Sequence, residues 1–338
     1  MNTRLQIALQ AGIIASEVFL YINKKLGKRQ TMEVLKFLES IRTPFGDTFF
    51  SLVTHLGEET IFIVVGLLFF WCLDKKKGYF ILSVGFLGTV MNQFLKLWFR
   101  IPRPWVRDPE FTIVESARAE ATGYSFPSGH TQSTVGVFGG IARVQKQLWI
   151  RIICIAICVL VPISRMYLGV HTPADVGASI VVALVLIFVL YPVVNKVVES
   201  PKSMRIYLMV LTLLSVIYLA FVLLYPFPAD VDMENLTGGI KNAYKILGCV
   251  LGLFVAYELD ECFVHFDTKG VWWVQLLKLV PGFVILLAIK SGLKEPLYAL
   301  LNGNYLADAI RYFLITAFAA GVWPMTFKFF NTLDKKSK

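Results

Sequence analysis

Apolar residues along this chain collect in blocks of about 18–22, separated by short polar segments, and a helix of that length crosses a hydrocarbon layer of ~30 Å. Nine spans are predicted, at roughly 56–73, 79–98, 126–143, 148–165, 174–195, 205–226, 244–263, 271–290 and 307–328. The expected fold class is therefore all-α: a polytopic transmembrane helical bundle of about nine spans. Residues 5–22 are apolar but interrupted by Gln6, Gln10 and Glu17, and Lys24, Lys25, Lys28 and Arg29 follow directly. A span there would place those cations on the outer face, so residues 1–53 are read as amphipathic helices lying in the interface.

Composition agrees with this pattern. Hydrophobic residues make up 56% of the 338 and charged residues 17%, fewer than the roughly 25% of a soluble domain. A soluble enzyme, a disulfide scaffold and a disordered chain are excluded. The formal charge of +10 sits in short loops: Lys75–Lys77, then Arg143, Lys146 and Arg151, then Lys196, Lys202 and Arg205, then Lys335, Lys336 and Lys338. With nine spans these groups share one face, which the positive-inside rule makes cytoplasmic. Residues 99–125, 166–173, 227–243 and 291–306 then fall outside, including the Asn-Leu-Thr sequon at Asn235, which matters only in a eukaryotic secretory route. No basic stretch is interleaved with aromatics, so nucleic acid is not an expected partner. The five cysteines form no C-x-x-C pair and the four histidines no zinc pattern, so neither metal nor cofactor is expected.

Three segments break the membrane pattern with costly polar groups. Lys96 to Pro104 ends the second span, Ser125 to His130 opens the third, and Ser164 to Asp175 joins the fourth to the fifth. The 33 residues between His130 and Ser164 suffice for one passage in and one back, which brings all three segments to one face. Lys96, Arg103 and Arg165 then converge as a site for a multiply charged anion, with guanidinium forks suited to phosphate. Pro127-Ser128-Gly129 reads as a first helical turn whose free N–H groups favour an anion, with Gly129 allowing close approach. Two histidines remain for chemistry. His171, with Nδ1–H donated to Asp175, is the expected nucleophile through Nε2, and His130 the expected proton donor to the leaving alcohol. Each residue has a plainer alternative: Asp175 can cap its helix with Thr172, Lys96 and Arg103 can anchor at the interface, and His130 can be an interfacial histidine. Their joint occurrence at one face, in this order, argues for a site.

The segments Lys-x6-Arg-Pro (96–104), Pro-Ser-Gly-His (127–130) and Ser-Arg-x5-His-x3-Asp (164–175) resemble the three-part signature of the type 2 phosphatidic acid phosphatase superfamily, matching every signature position across roughly residues 40–195. The resemblance implies a helical phosphatase core and metal-independent hydrolysis through a phosphohistidine. It implies His171 as nucleophile, Asp175 as its orienting partner and His130 as acid, with Lys96, Arg103, Ser128, Gly129 and Arg165 holding phosphoryl oxygens. Three parts are expected: interfacial helices over 1–53, a five-span phosphatase core over 54–200, and a four-span bundle over 201–338 similar in layout to the sphingosine-phosphate phosphatase branch. In that bundle, intramembrane Lys278 is expected to pair with Glu258. The expected substrate is an amphiphilic lipid phosphomonoester or prenyl or lipid diphosphate, presented by the bilayer of a bacterial plasma membrane to a site facing outside. A lipid phosphotransferase using the same site, and a transporter of a phosphorylated lipid, are the competing readings.

Overall fold

The computed structural model describes residues 28–335, and among them the regular structure is entirely helical. The expectation of interfacial helices over 1–53 therefore lies, for residues 1–27, outside the described residues. From Lys28 on, α1 (Lys28–Ser40) buries Leu35 against Phe111 and Ile113 of a later loop. In α2 (Pro44–Thr54) the Thr43 side chain accepts a hydrogen bond from Gly46 N, with Pro44 in the first turn where it loses no helical bond. Arg42 ties this segment down by donating to the carbonyls of Tyr167 and Thr112 at 2.9 Å each.

The bundle follows. A 3-10 turn at His55–Gly57 leads into α3 (Glu59–Leu68), and α4 (Lys75–Phe99) is capped by Asp74. Helix α4 stops at Arg100, which takes a left-handed conformation (φ 50°) ahead of Ile101-Pro102-Arg103-Pro104, where prolines forbid continuation. Helix α5 (Gly129–Thr134) runs through a π-turn into Gly140–Val144, followed by α6 (Leu148–Tyr167) and α7 (Pro173–Val197). The C-terminal part consists mainly of α8 (Pro201–Leu224), α9 (Met233–Leu259), α10 (Trp272–Gly292) and α11 (Leu306–Ala317).

Among the described residues, six helices are long and apolar enough to cross a membrane, or seven if the bent pair Pro44–Gly57 and Glu59–Leu73 counts as one span. The expectation was nine. All nine expected segments contain helix, but α3 and α5 are short, broken pieces and α9 carries Lys241, Lys245 and Glu258. The outward side chains of α6 and α7 are apolar, Ile152, Ile155 and Val159 on one and Val181, Phe188 and Val189 on the other, all about half exposed. Such surface suits lipid tails rather than water.

Packing between helices relies on small residues, as is usual without a hydrophobic drive inside lipid. Gly248 and Gly252 lie one turn apart on α9, and a Cβ at either would strike the α11 backbone at Ala309 or Phe313. The core and the C-terminal bundle are stitched by Trp71, fully buried, whose Nε1 donates to the Ala319 carbonyl at 2.7 Å. The expected Lys278–Glu258 pair does not form. Glu258 accepts two hydrogen bonds from Arg205, at 2.7 and 2.9 Å, whereas the Lys278 ammonium donates to the Lys269 carbonyl at 2.6 Å and lies 5.1 Å from the Phe327 ring centre. Arg205 starts its helix at the end where Glu258 finishes its own, and a bidentate guanidinium outcompetes an ammonium on another helix face.

Candidate active site

Four local sequence features aim side chains at one point. The break after α4 releases Arg103 from the helix. Ser128 caps α5, accepting from Thr131 N at 3.4 Å, and so puts Gly129 and His130 in its first turn. The last turn of α6 carries Arg165. Thr172 caps α7 in a reciprocal capping box with Asp175, which holds His171 one residue outside the helix.

His171 is buried, and its Nε2 lies 2.9 Å from Arg103 Nη1. A guanidinium has no acceptor, so Arg103 must donate and Nε2 must carry a lone pair. The proton of the neutral ring is therefore on Nδ1, which finds no hydrogen-bond partner and faces Asp175 Oδ2 at 3.6 Å. That contact corrects the expected Nδ1–H hydrogen bond: Asp175 Oδ2 already accepts from Ser125 Oγ and from Thr172 N, both at 2.7 Å. Asp175 thus caps its helix and stands beside the imidazole at the same time. Burial, and then the charges of Arg103, Arg165 and Lys96, hold the His171 imidazole well below its usual titration range, which keeps it neutral near pH 7.

The cations are buried and rigid. Arg103 donates Nε to the Gly123 carbonyl at 3.0 Å, Nη2 to Thr122 at 2.6 Å and Nη1 to Val170 at 3.0 Å. Lys96 donates to the Tyr124 carbonyl of the same loop. Arg165 spends Nη1 on Thr54 Oγ1 at 2.8 Å, while its Nε and Nη2 are buried without an acceptor. His130 Nε2 is likewise buried and unpartnered. Leaving the two guanidinium donors unmet costs about 1–3 kcal/mol each, and an anion beside them supplies the missing acceptors.

All eight expected site residues therefore lie at one end of the bundle. Ser128 has a structural share: its carbonyl accepts from Ser179 Oγ at 2.8 Å and its N–H donates to the Asp175 carbonyl at 3.2 Å, joining α5 to α7. Three contributors were not foreseen. Thr54 holds Arg165 from 111 residues away, Ser125 holds Asp175, and Gly57 packs so closely on His130 that a Cβ there would sit 3.0 Å from the histidine's own Cβ. Ser125 stood beside the Pro-Ser-Gly-His run as a visible signal. Thr54 and Gly57 gave none, because only tertiary contact assigns them.

Comparison with known proteins points the same way. Residues 76–199 match the PAP2 superfamily model, and residues 244–336 match the model described as PAP2 superfamily phosphatase, transmembrane extension. The chain is 30% identical over 161 residues to phosphatidylglycerophosphatase B of Bacillus subtilis (strain 168), covering 44% of this chain and 75% of that one. It is 30% identical over 160 residues to the probable sphingosine-1-phosphate phosphatase of Dictyostelium discoideum, where the match covers 44% of this chain but only 38% of the relative. It is 21% identical over 308 residues to a dihydrosphingosine 1-phosphate phosphatase of Schizosaccharomyces pombe, covering 84% and 71%. With its apolar helices, its transmembrane extension and these relatives, the chain is an integral membrane protein that belongs to the PAP2 superfamily of phosphatases.

Proposed function

We propose that the protein hydrolyses a lipid phosphate at the extracytoplasmic face of a membrane, through a phosphohistidine on His171 and without a metal. The observation that carries this reading is a set of buried, unpartnered polar atoms, Arg165 Nε and Nη2 and His130 Nε2, at the same end of the bundle as a His171 Nε2 that bears a lone pair. Phosphoryl oxygens take the donors. The Arg103 fork turns from Nε2 to an oxygen, and the freed lone pair attacks phosphorus. The P–O bond to the alcohol breaks, its electron pair stays on that oxygen, and His130 supplies the proton. The phosphate itself brings the negative charge that a protonated His130 needs among three cations. Water then attacks the phosphohistidine, giving a proton to His130 as the P–N bond breaks and its pair returns to Nε2.

Contacts at the two ends of the bundle support counting all nine segments as passages. Tyr124 OH accepts from Asp232 N, and Lys290 pairs with Glu59, at the site end; Lys75 pairs with Asp260, and Arg205 with Glu258, at the other. The Lys-rich loops gather at that other end, and the positive-inside rule then favours an outward-facing site. Residues 54–200 then form the catalytic unit and 201–338 a second unit, whose described residues pack against it.

The test is phosphate release by purified protein in detergent from a panel of lipid monophosphates and diphosphates, with and without EDTA. Turnover of at least one lipid phosphate, undiminished by EDTA, is expected; a strict requirement for added Mg²⁺ would overturn the mechanism. Thr54 offers a finer check. Thr54→Val keeps the volume and removes the acceptor of Arg165, and about a tenfold loss in kcat/KM is expected, with Thr54→Ser retaining most of the rate.

A further inference from the structure

Helix α2 has two faces with different neighbours. Gly46, Phe50 and Thr54, spaced four apart, share the inner one, and Phe45, Phe49 and Leu52 share the outer. The inner face grips the end of α6. Phe50 packs on the Tyr167 ring with centroids 4.4 Å apart, Thr54 Oγ1 accepts from Arg165 at 2.8 Å, and a Cβ on Gly46 would overlap the Tyr167 hydroxyl. That hydroxyl accepts from Thr43 N, the cap of α2, at 3.0 Å. Arg42 reaches further, into the loop between Arg165 and His171. Three carbonyls of that stretch are held from three separate segments: Tyr167 by Arg42 Nε at 2.9 Å, Leu168 by Val114 N at 3.1 Å and Val170 by Arg103 Nη1 at 3.0 Å. Gly169, at φ 82°, leaves the space that Arg42 Nη2 fills.

The outer face is open among the described residues: Phe45 is 80% exposed and Leu52 65%. It belongs to a membrane protein and to a helix packed on α6, whose own outward side chains, Ile155 and Val159, are apolar and half exposed, so lipid that meets one helix meets its neighbour. Rings connect the two faces. Phe45 stacks on Phe49 with centroids 6.4 Å apart, Phe49 meets Phe50 edge-on at 5.1 Å, and Phe50 meets Tyr167. We infer that α2 is a strap seated in lipid: acyl chains of the leaflet at the site end cover Phe45, Phe49 and Leu52, and this seat presses the inner face onto the loop that presents Arg165 and His171. A face that only anchored the chain would leave anion binding alone. A strap makes the affinity of the cradle depend on side chains that never touch the anion.

This inference rests on the phosphatase reading, and the readouts separate the two. Purified full-length protein in phosphatidylcholine nanodiscs is titrated with vanadate. Phe45→Gln/Phe49→Gln should weaken vanadate binding at least ~10-fold, the factor for one lost hydrogen bond to a charged group, and Phe45→Gln alone should show a smaller loss. Phe45→Leu/Phe49→Leu, which keeps the face apolar, should stay near wild type. Arg42→Met should cost as much as the double glutamine variant, and Arg42→Lys, still able to donate to the Tyr167 carbonyl, much less. Val181→Gln/Phe188→Gln, equally polar changes on the outward side of α7, should leave vanadate binding unchanged. A nitroxide on Phe45→Cys, with Cys262→Ser to limit labelling elsewhere, identifies the occupant: oxygen dissolved in the bilayer should relax it and an aqueous nickel chelate should not. Wild-type affinity in the glutamine variants, an equal loss in the α7 variant, or a nitroxide reached by nickel or by neither relaxer overturns the strap and leaves the phosphatase standing. No vanadate binding by the wild type, together with no phosphate release from the lipid panel, overturns both.

Discussion

Replacing His171 with alanine is expected to abolish turnover, by more than the ~10²–10⁴-fold that follows the loss of an acid–base group. The reason is stoichiometric: in the proposed mechanism Nε2 forms the bond to phosphorus, and no neighbour can take that place, since Arg103, Arg165 and Lys96 are cations and His130 belongs to a different helix start. The variant should fold. Arg103 keeps its three carbonyl partners at Thr122, Gly123 and Val170, and the Thr172–Asp175 capping box does not involve the imidazole. Vanadate binding by the purified variant, weakened but measurable, would report an assembled cradle. His130→Ala supplies the contrast. An aryl phosphate, whose phenolate departs without a proton, should restore much of the rate to His130→Ala and none to His171→Ala. Rapid quenching with labelled substrate completes the test: an acid-labile, base-stable phosphoenzyme in the wild type, absent from His171→Ala. Near-normal release of phosphate by His171→Ala would discard the covalent route altogether.

The sequence carried this site further than it carried the bundle, for a physical reason. Charged groups are so costly near a bilayer that Lys96, Arg103 and Arg165 stand out individually, and the chain between His130 and Ser164 has only enough residues to go in and return. The break after α4 and the caps at Ser128 and Thr172 were likewise legible, because prolines, serines and threonines act locally. What escaped depended on rotation about helix axes and on contacts between distant segments. Lys278 and Glu258 were matched by depth alone, and depth does not say which face of a helix a charge occupies; Arg205 at the same membrane end claimed Glu258. Thr54 was invisible for the same reason, lying 111 residues from the arginine it holds. Length and apolarity alone identify six or seven spans among the described residues, fewer than the nine read from the sequence, since a helix walled in by protein, such as α5, need not be long or apolar enough to satisfy lipid.

Asp175→Asn should reduce kcat by about 10³–10⁴-fold while leaving the fold almost untouched, and the two readouts together separate the roles that this side chain combines. An asparagine is nearly isosteric, and its carbonyl oxygen can still accept from Thr172 N and Ser125 Oγ, the two hydrogen bonds that Asp175 makes at 2.7 Å. Helix capping therefore survives. What is lost is the negative charge 3.6 Å from His171 Nδ1. During attack Nε2 gives up its lone pair, the ring becomes cationic, and the proton on Nδ1 acquires a strong need for an anionic neighbour on the side of the ring away from the phosphoryl group, where Asp175 stands. The 3.6 Å separation is long for a hydrogen bond in the resting state, and the developing positive charge is what would draw the two together, so the interaction strengthens on the way to the transition state. Loss should accordingly appear in kcat rather than in vanadate affinity or thermal stability. Thr172→Ala provides the opposite pattern: it removes the cap but not the charge, and should cost about 1 kcal/mol of stability with a far smaller effect on kcat. If Asp175→Asn and Thr172→Ala prove equally mild in turnover and equally destabilising, Asp175 is a helix cap and nothing more, and the imidazole must be oriented by Arg103 alone.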